Sequence, residues 1–100
     1  MTFSAFILIG GLRANPYESV TNTFIINVID DKIEDGPALN TGREFLACEK
    51  VVIDTKTFVF AIAGYSRSTG GKLNSVEILE VGTNTWKTGK YQYNSTFLTK

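Results

Sequence analysis

The chain has 100 residues, ten basic and ten acidic, so its formal net charge is zero, and it lacks the concentrated basic face that nucleic-acid binding requires. It contains one cysteine and no histidine, which argues against a transition-metal site and against histidine-based catalysis. No apolar run approaches the roughly 18–20 residues needed to cross a bilayer, so we expect at most one globular domain, with no cofactor, no nucleic-acid partner and no membrane partner.

The first apolar run is "AFILIGG" at residues 5–11. It resembles the hydrophobic part of a signal peptide, but it lacks a basic start and a convincing cleavage site. It could also open a phosphate-binding loop, but neither a Lys-Ser/Thr pair nor a G-x-G-x-x-G pattern follows. We therefore predict a buried strand over 5–9 that ends at Gly10–Gly11, where glycine tolerates a positive φ.

The later segments are also typical of strands, because they are rich in Val, Ile, Phe and Thr and are bounded by turn residues. The predicted strands after the first lie at 23–29, 50–54, 57–63 and 75–81. The acidic stretch "DDKIEDG" at 30–36 is interpreted as a turn, since its spacing does not supply oxygens at alternating positions as a calcium loop would. Cys48 is interpreted as a small buried hydrophobic residue. The sequence thus predicts an all-β fold.

The chain also repeats itself at an offset of 53 residues without a gap. At this offset Ile9 falls on Ile62 and Gly11 on Gly64, and Ile33 falls on Trp86. The matching positions are apolar strand centres and turn glycines, which are the positions that a repeated structural unit needs. A period near 50 residues with several short strands per unit is typical of a β-propeller blade.

The second unit resembles the kelch-repeat family, on the segments "GREFLAC" (42–48), "TFVFAIAG" (57–64) and "NSVEILEVGTNTWKTG" (74–89). The first unit resembles it through "FILIGG" and "NTFIINVIDDKIEDG". Two positions depart from the family pattern, because Ala63 replaces the first glycine of the pair in the second unit and Ile33 replaces the tryptophan in the first. The resemblance covers roughly residues 5–89.

The resemblance implies kelch-type blades of four antiparallel strands in an incomplete propeller. Residues 1–36 would form a partial blade with strands two to four, at about 5–9, 23–29 and 32–35, and 37–44 an inter-blade loop. Residues 45–89 would form a complete blade with strands at 45–53, 57–63, 75–81 and 85–88, and 90–100 the start of the next loop and strand. Because a blade with no neighbour leaves apolar surface exposed, we expect a fragment of a larger propeller or a piece of an assembly. Further blades would be supplied in cis or by self-association.

We expect the function to be recognition of a protein partner, with no enzymatic activity, through loops 12–22, 36–44 and 65–74. The candidate binding residues are the polar and aromatic side chains of these loops: Arg13, Asn15, Tyr17, Asn40, Arg43, Tyr65, Arg67 and Lys72. In the family, the arginine that corresponds to Arg43 often braces blades internally instead.

Three alternatives to partner recognition remain. The chain could belong to an oxidase-like or sialidase-like enzymatic propeller, to a carbohydrate-binding propeller, or to a truncated product without independent function. We expect a cytoplasmic location. The alternative is an extracellular one, in which Asn94 would be a glycosylation site.

Overall fold

The computed structural model describes residues 5–92 of the chain. These residues contain strands and turns but no helix, which confirms the predicted all-β class, and hence no helix long and apolar enough to cross a membrane. The strands are β1 (Ala5–Ile9), β2 (Leu12–Arg13), β3 (Glu18–Ser19), β4 (Thr23–Asn27), β5 (Lys32–Asp35), β6 (Ala47–Ile53), β7 (Lys56–Ser66), β8 (Gly71–Glu80) and β9 (Trp86–Gln92).

The strands form three antiparallel sheets in the described part of the chain. The first sheet has the order β1-β4-β5, and the second sheet is a four-stranded meander of order β6-β7-β8-β9. The short strands β2 and β3 pair as a separate ribbon between β1 and β4. The meander matches the four strands predicted for the second unit, although the bounds of each strand differ.

The pairing registers confirm that the 53-residue repeat is structural. Ala5 lies opposite Asn27 in the first sheet, and their counterparts Phe58 and Glu80 lie opposite each other in the second. The pairing of β4 with β5 likewise returns between β8 and β9 at the same offset. Each unit therefore pairs the same positions, as expected when the same apolar pattern faces the same side of the sheet.

The turn predicted at the glycine pair is confirmed, and its backbone geometry also repeats. Gly10 and Gly11 have φ angles of 66° and 120°, and their counterparts Ala63 and Gly64 have 57° and 98°. Ala63 thus adopts the left-handed conformation that costs a residue with a Cβ about 1–2 kcal/mol. The register of β7 with β8 shifts at this point, so the second unit keeps the pair of positive φ angles of the first unit although one glycine is replaced.

Several predicted loops and strands have different bounds in the structure. The predicted loop 65–74 is mostly strand, because β7 continues to Ser66 and β8 begins at Gly71. The predicted loop 12–22 contains the β2–β3 ribbon. The predicted strand 23–29 ends at Asn27, whose side-chain oxygen accepts a hydrogen bond from the backbone N–H of Asp30 and so begins the turn.

The ends of the second sheet differ from the prediction as well. Strand β6 begins at Ala47 and not at residue 45, where Phe45 has a φ of 56° that is incompatible with extended backbone. Strand β9 runs on to Gln92, through residues that the sequence predicts as part of a following loop. The rest of that predicted segment, including Asn94, lies outside the described residues.

The core lies between the first and second sheets. It consists of Leu39, Val59, Ala61, Leu79 and Trp86, with Ile7, Ile9 and Leu46 packed against it. The segment 37–44, predicted as an inter-blade loop, runs along this interface, and the backbone N–H groups of Leu39 and Arg43 donate to the carbonyls of Thr21 and Val20. Cys48, predicted to be buried, is exposed, because its strand borders an open groove between the sheets.

The approach of segment 37–44 to the β2–β3 ribbon leads to a stability prediction for Gly42→Ala. A Cβ at Gly42 would overlap the backbone carbonyl of Ser19, so we expect a loss of about 1–3 kcal/mol in the free energy of unfolding. Gly71→Ala is the matched control, because nothing lies within 4 Å of a Cβ there. Urea denaturation followed by circular dichroism compares the two variants, and equal stabilities would contradict the close approach.

Candidate partner-binding surface

Three of the predicted binding residues come together where the two units meet. Tyr17 lies between β2 and β3, whereas Tyr65 and Arg67 lie at the end of the β7–β8 hairpin. The Arg67 guanidinium carbon is 5.4 Å from the centre of the Tyr17 ring and 5.9 Å from that of the Tyr65 ring. Both distances are within the range of a cation–π interaction, so the guanidinium is in contact with one aromatic ring from each unit.

The position of Arg67 is set by hydrogen bonds from both its backbone and its side chain. Its backbone N–H donates to Ser19 Oγ at 2.9 Å. Its Nε and Nη2 lie 3.3 and 3.5 Å from Glu44 Oε2 and Oε1. Ser19 Oγ in turn donates to Glu44 Oε2 at 2.7 Å, so the three polar side chains form one connected network.

Glu44 is held in place by the second sheet. Its backbone N–H donates to the Tyr65 carbonyl and its carbonyl accepts from the Tyr65 N–H, each at 2.9 Å. The residue is 2% exposed. Because little water surrounds the Glu44 carboxylate, its attraction for the Arg67 guanidinium is only weakly screened. We call Tyr17, Ser19, Glu44, Tyr65 and Arg67 the Arg67 cluster.

The outer surface of the Arg67 cluster is accessible. Tyr17 is 67% exposed, and the Arg67 side chain is 42% exposed. Because Glu44 compensates the charge of Arg67, the surface presents a planar donor group and aromatic faces and not a free positive charge. Such a surface can stack on and hydrogen-bond to groups of a partner without requiring that partner to be acidic.

Three other predicted residues are exposed but do not belong to the Arg67 cluster. Arg13 on β2 forms an ion pair with Glu18 on β3, and both side chains are largely exposed. Asn15 lies in the turn that joins these strands, with a φ of 63°. Lys72 lies exposed on β8 and not in a loop as predicted.

The remaining two predicted residues, the buried Arg43 and the exposed Asn40, form hydrogen bonds to the second sheet. Arg43 is 0% exposed, so its side chain is not accessible to a partner, and its position agrees with the alternative bracing role. Its Nε donates to Glu77 Oε2 at 3.0 Å. Asn40 uses its Nδ2 to donate to the Trp86 carbonyl at 2.8 Å and its backbone N–H to donate to Glu77 Oε1 at 2.7 Å.

Sequence reasoning missed Ser19 and Glu44, which connect the two tyrosines and Arg67. Ser19 is 25 residues from Glu44 along the chain, and Arg67 is 48 residues from Ser19. No local spacing connects residues so far apart. The one signal in the sequence was the position of Glu44 directly after Arg43 in the segment that joins the two units.

A groove of about 1120 Å³ lies between the two sheets. Its walls include Ile7 from β1, Cys48 and Lys50 from β6, and Leu79 from β8. Partial burial there raises the pKa of the Cys48 thiol above its ordinary value, so the thiol stays protonated at neutral pH. Within residues 5–92, no group of three or more His, Cys, Asp or Glu side chains is placed to hold a metal ion.

No family model matches the sequence, and no curated protein matches it. The functional interpretation therefore depends on the geometry of the chain itself.

Proposed function

We propose that the chain is a kelch-type propeller segment that recognises a partner protein through the Arg67 cluster and catalyses no reaction itself. Two features support the kelch-type part of this proposal. The 53-residue units pair their strands in the same register, and both place a pair of positive-φ residues at the end of the second blade strand. A four-stranded antiparallel meander is also the blade unit of propellers in general.

The proposed partner recognition depends mainly on the contact of Arg67 with Tyr17 and Tyr65. Arginine and tyrosine are enriched among the few residues that supply most of the binding energy in protein interfaces. The network to Ser19 and Glu44 holds the guanidinium in one orientation before any partner arrives. Less side-chain entropy is then lost on binding, which favours recognition.

The two units both contribute to this surface, which favours a binding role over a purely structural one. Tyr17 and Ser19 come from the first unit, whereas Tyr65 and Arg67 come from the second. Loops that are joined by rigid strands are the usual carriers of recognition. Since Tyr17 is the most exposed member of the cluster, its ring is the group that a partner would cover first.

The proposal is tested by selecting peptides that bind the parent chain from a random peptide display library. Peptides selected on the 100-residue chain should lose affinity roughly tenfold or more for Tyr17→Ala and for Arg67→Ala, since hot-spot truncations cost about 2 kcal/mol. Lys32→Ala, on strand β5 outside the cluster, is the matched control and should bind within about twofold of the parent chain.

Selected ligands that bind Tyr17→Ala and Arg67→Ala as tightly as the parent chain would place recognition elsewhere. The emission of Trp86, which is the only tryptophan and is 1% exposed, reports whether each variant is folded. A loss of affinity in a variant with native Trp86 emission is then a loss of contact and not of structure.

A further inference from the structure

The contact between the two sheets buries one face of each sheet and leaves the other face unused. The second sheet directs Val59, Leu79 and Trp86 toward the first sheet, where Ile7 and Ile9 pack against them. Because side chains alternate between the faces of a strand, each sheet uses only one of its two faces in this contact. The other face of each sheet is directed away from the core.

The open face of the first sheet is apolar. The strand registers place five apolar side chains together on it: Phe6, Leu8, Phe24, Ile26 and Ile33. Phe6 and Leu8 are each 51% exposed and Ile33 is 70% exposed. At the 53-residue offset these positions correspond to Val59, Ala61, Glu77, Leu79 and Trp86. The open face of the first sheet is therefore the repeat counterpart of the face that the second sheet already buries.

The second sheet also has a face that is directed away from the core and carries apolar side chains. The registers place on it the apolar side chains of Phe58, Phe60, Ile62, Val76 and Ile78, of which Val76 is 7% exposed and the other four are half-buried. These correspond by the same offset to Ala5, Ile7, Ile9, Thr23 and Ile25 of the first sheet. That first-sheet face is the one that receives the second sheet inside the molecule. The chain thus carries both halves of its own sheet-to-sheet interface, one on each outer side.

We propose that a second copy of this chain docks head to tail, with the open face of its first sheet on the open face of the second sheet of its neighbour. Such a contact is heterologous, so the same contact can repeat from copy to copy until a ring closes. This inference does not depend on the proposed partner-binding function, because it uses neither the residues nor the surface of the Arg67 cluster.

Net charge does not oppose a contact between identical copies. The position of the buried Glu77 in the internal interface is taken by Phe24 on the open face. The new contact therefore covers a ring at that position, and the one carboxylate beside it is that of the exposed Asp35, which lies opposite Phe24 on the edge strand β5. The formal net charge of the chain is zero, so no long-range repulsion opposes the approach of identical copies.

The test uses the 100-residue chain and two single variants in sedimentation velocity. Ile33→Lys places a charge on the open face of the first sheet, and Phe60→Glu places one on the open face of the second. We expect the parent chain to gain mass beyond a dimer as its concentration rises, and each variant alone to stay monomeric. Mixed at equal concentrations, the two variants should form a 1:1 dimer that grows no further, because each retains one complementary face.

Ile29→Lys is the matched control, because Ile29 is 74% exposed in the turn between β4 and β5 and lies on neither face. This variant should assemble like the parent chain. If Phe60→Glu lacks native Trp86 emission, Ile53→Lys on the same face replaces it, since Ile53 is already 55% exposed. A parent chain that is monomeric up to roughly 1 mM, or variants that fail to pair when mixed, would overturn the proposal.

Discussion

Replacing Arg43 with methionine is expected to lower the free energy of unfolding by about 3–5 kcal/mol, because it leaves the Glu77 carboxylate buried without its counter-ion. Both residues are 0% exposed. The loss extends beyond the ion pair, since Arg43 Nη1 also donates to the carbonyls of Ala63 and Ser75, each at 3.0 Å. Those carbonyls would lose a hydrogen-bond donor in the variant.

Arg13→Met is the matched control for Arg43→Met. Arg13 also pairs with a glutamate, Glu18, but both side chains are largely exposed, so we expect a loss of at most about 1 kcal/mol. Arg43→Lys should fall between the two variants, because lysine keeps the charge but lacks the planar fork that reaches several acceptors. Urea denaturation followed by Trp86 emission measures all three, and an Arg43→Met variant within about 1 kcal/mol of the parent chain would refute the bracing role.

The sequence predicted the repeated pattern of strands well, because that pattern is local. Apolar alternation, turn residues and the 53-residue offset all lie within short stretches of chain, and the pairing registers follow them. The strand bounds were predicted less well. The β7–β8 hairpin continues past Gly64, with a register shift and a positive φ at Ala63, and neither feature is visible in the apolar pattern.

The roles of the two arginines could not be separated by residue type. Arg43 and Arg67 both follow turn residues and were both predicted to lie in binding loops. Arg43 is buried because Glu77, 34 residues later, lies on the face of β8 that is turned toward it. The placement of Glu77 among apolar residues of a predicted strand was a local sign that an acidic group would be buried. Its partner depends on packing between units, which local periodicity does not report.

Replacing Trp86 with alanine is expected to destabilise the chain by about 3–5 kcal/mol, as for other large aromatic residues removed from a core. Trp86 is 1% exposed and packs with Leu39 and Leu79 between the two sheets. Its Nε1 donates to the Pro37 carbonyl at 2.8 Å, which holds the connecting segment against the second sheet. The variant loses both the packing and this connection. Circular dichroism is the measurement here, because the chain has no other tryptophan.

Trp86→Phe separates the two contributions. The ring of phenylalanine keeps most of the packing, and the Pro37 carbonyl still accepts from Thr23 Oγ1 at 2.7 Å, so no buried acceptor is left without a donor. We therefore expect a loss of only about 1–2 kcal/mol, from the hydrogen bond and the smaller ring. Equal losses in the alanine and phenylalanine variants would mean that the hydrogen bond dominates.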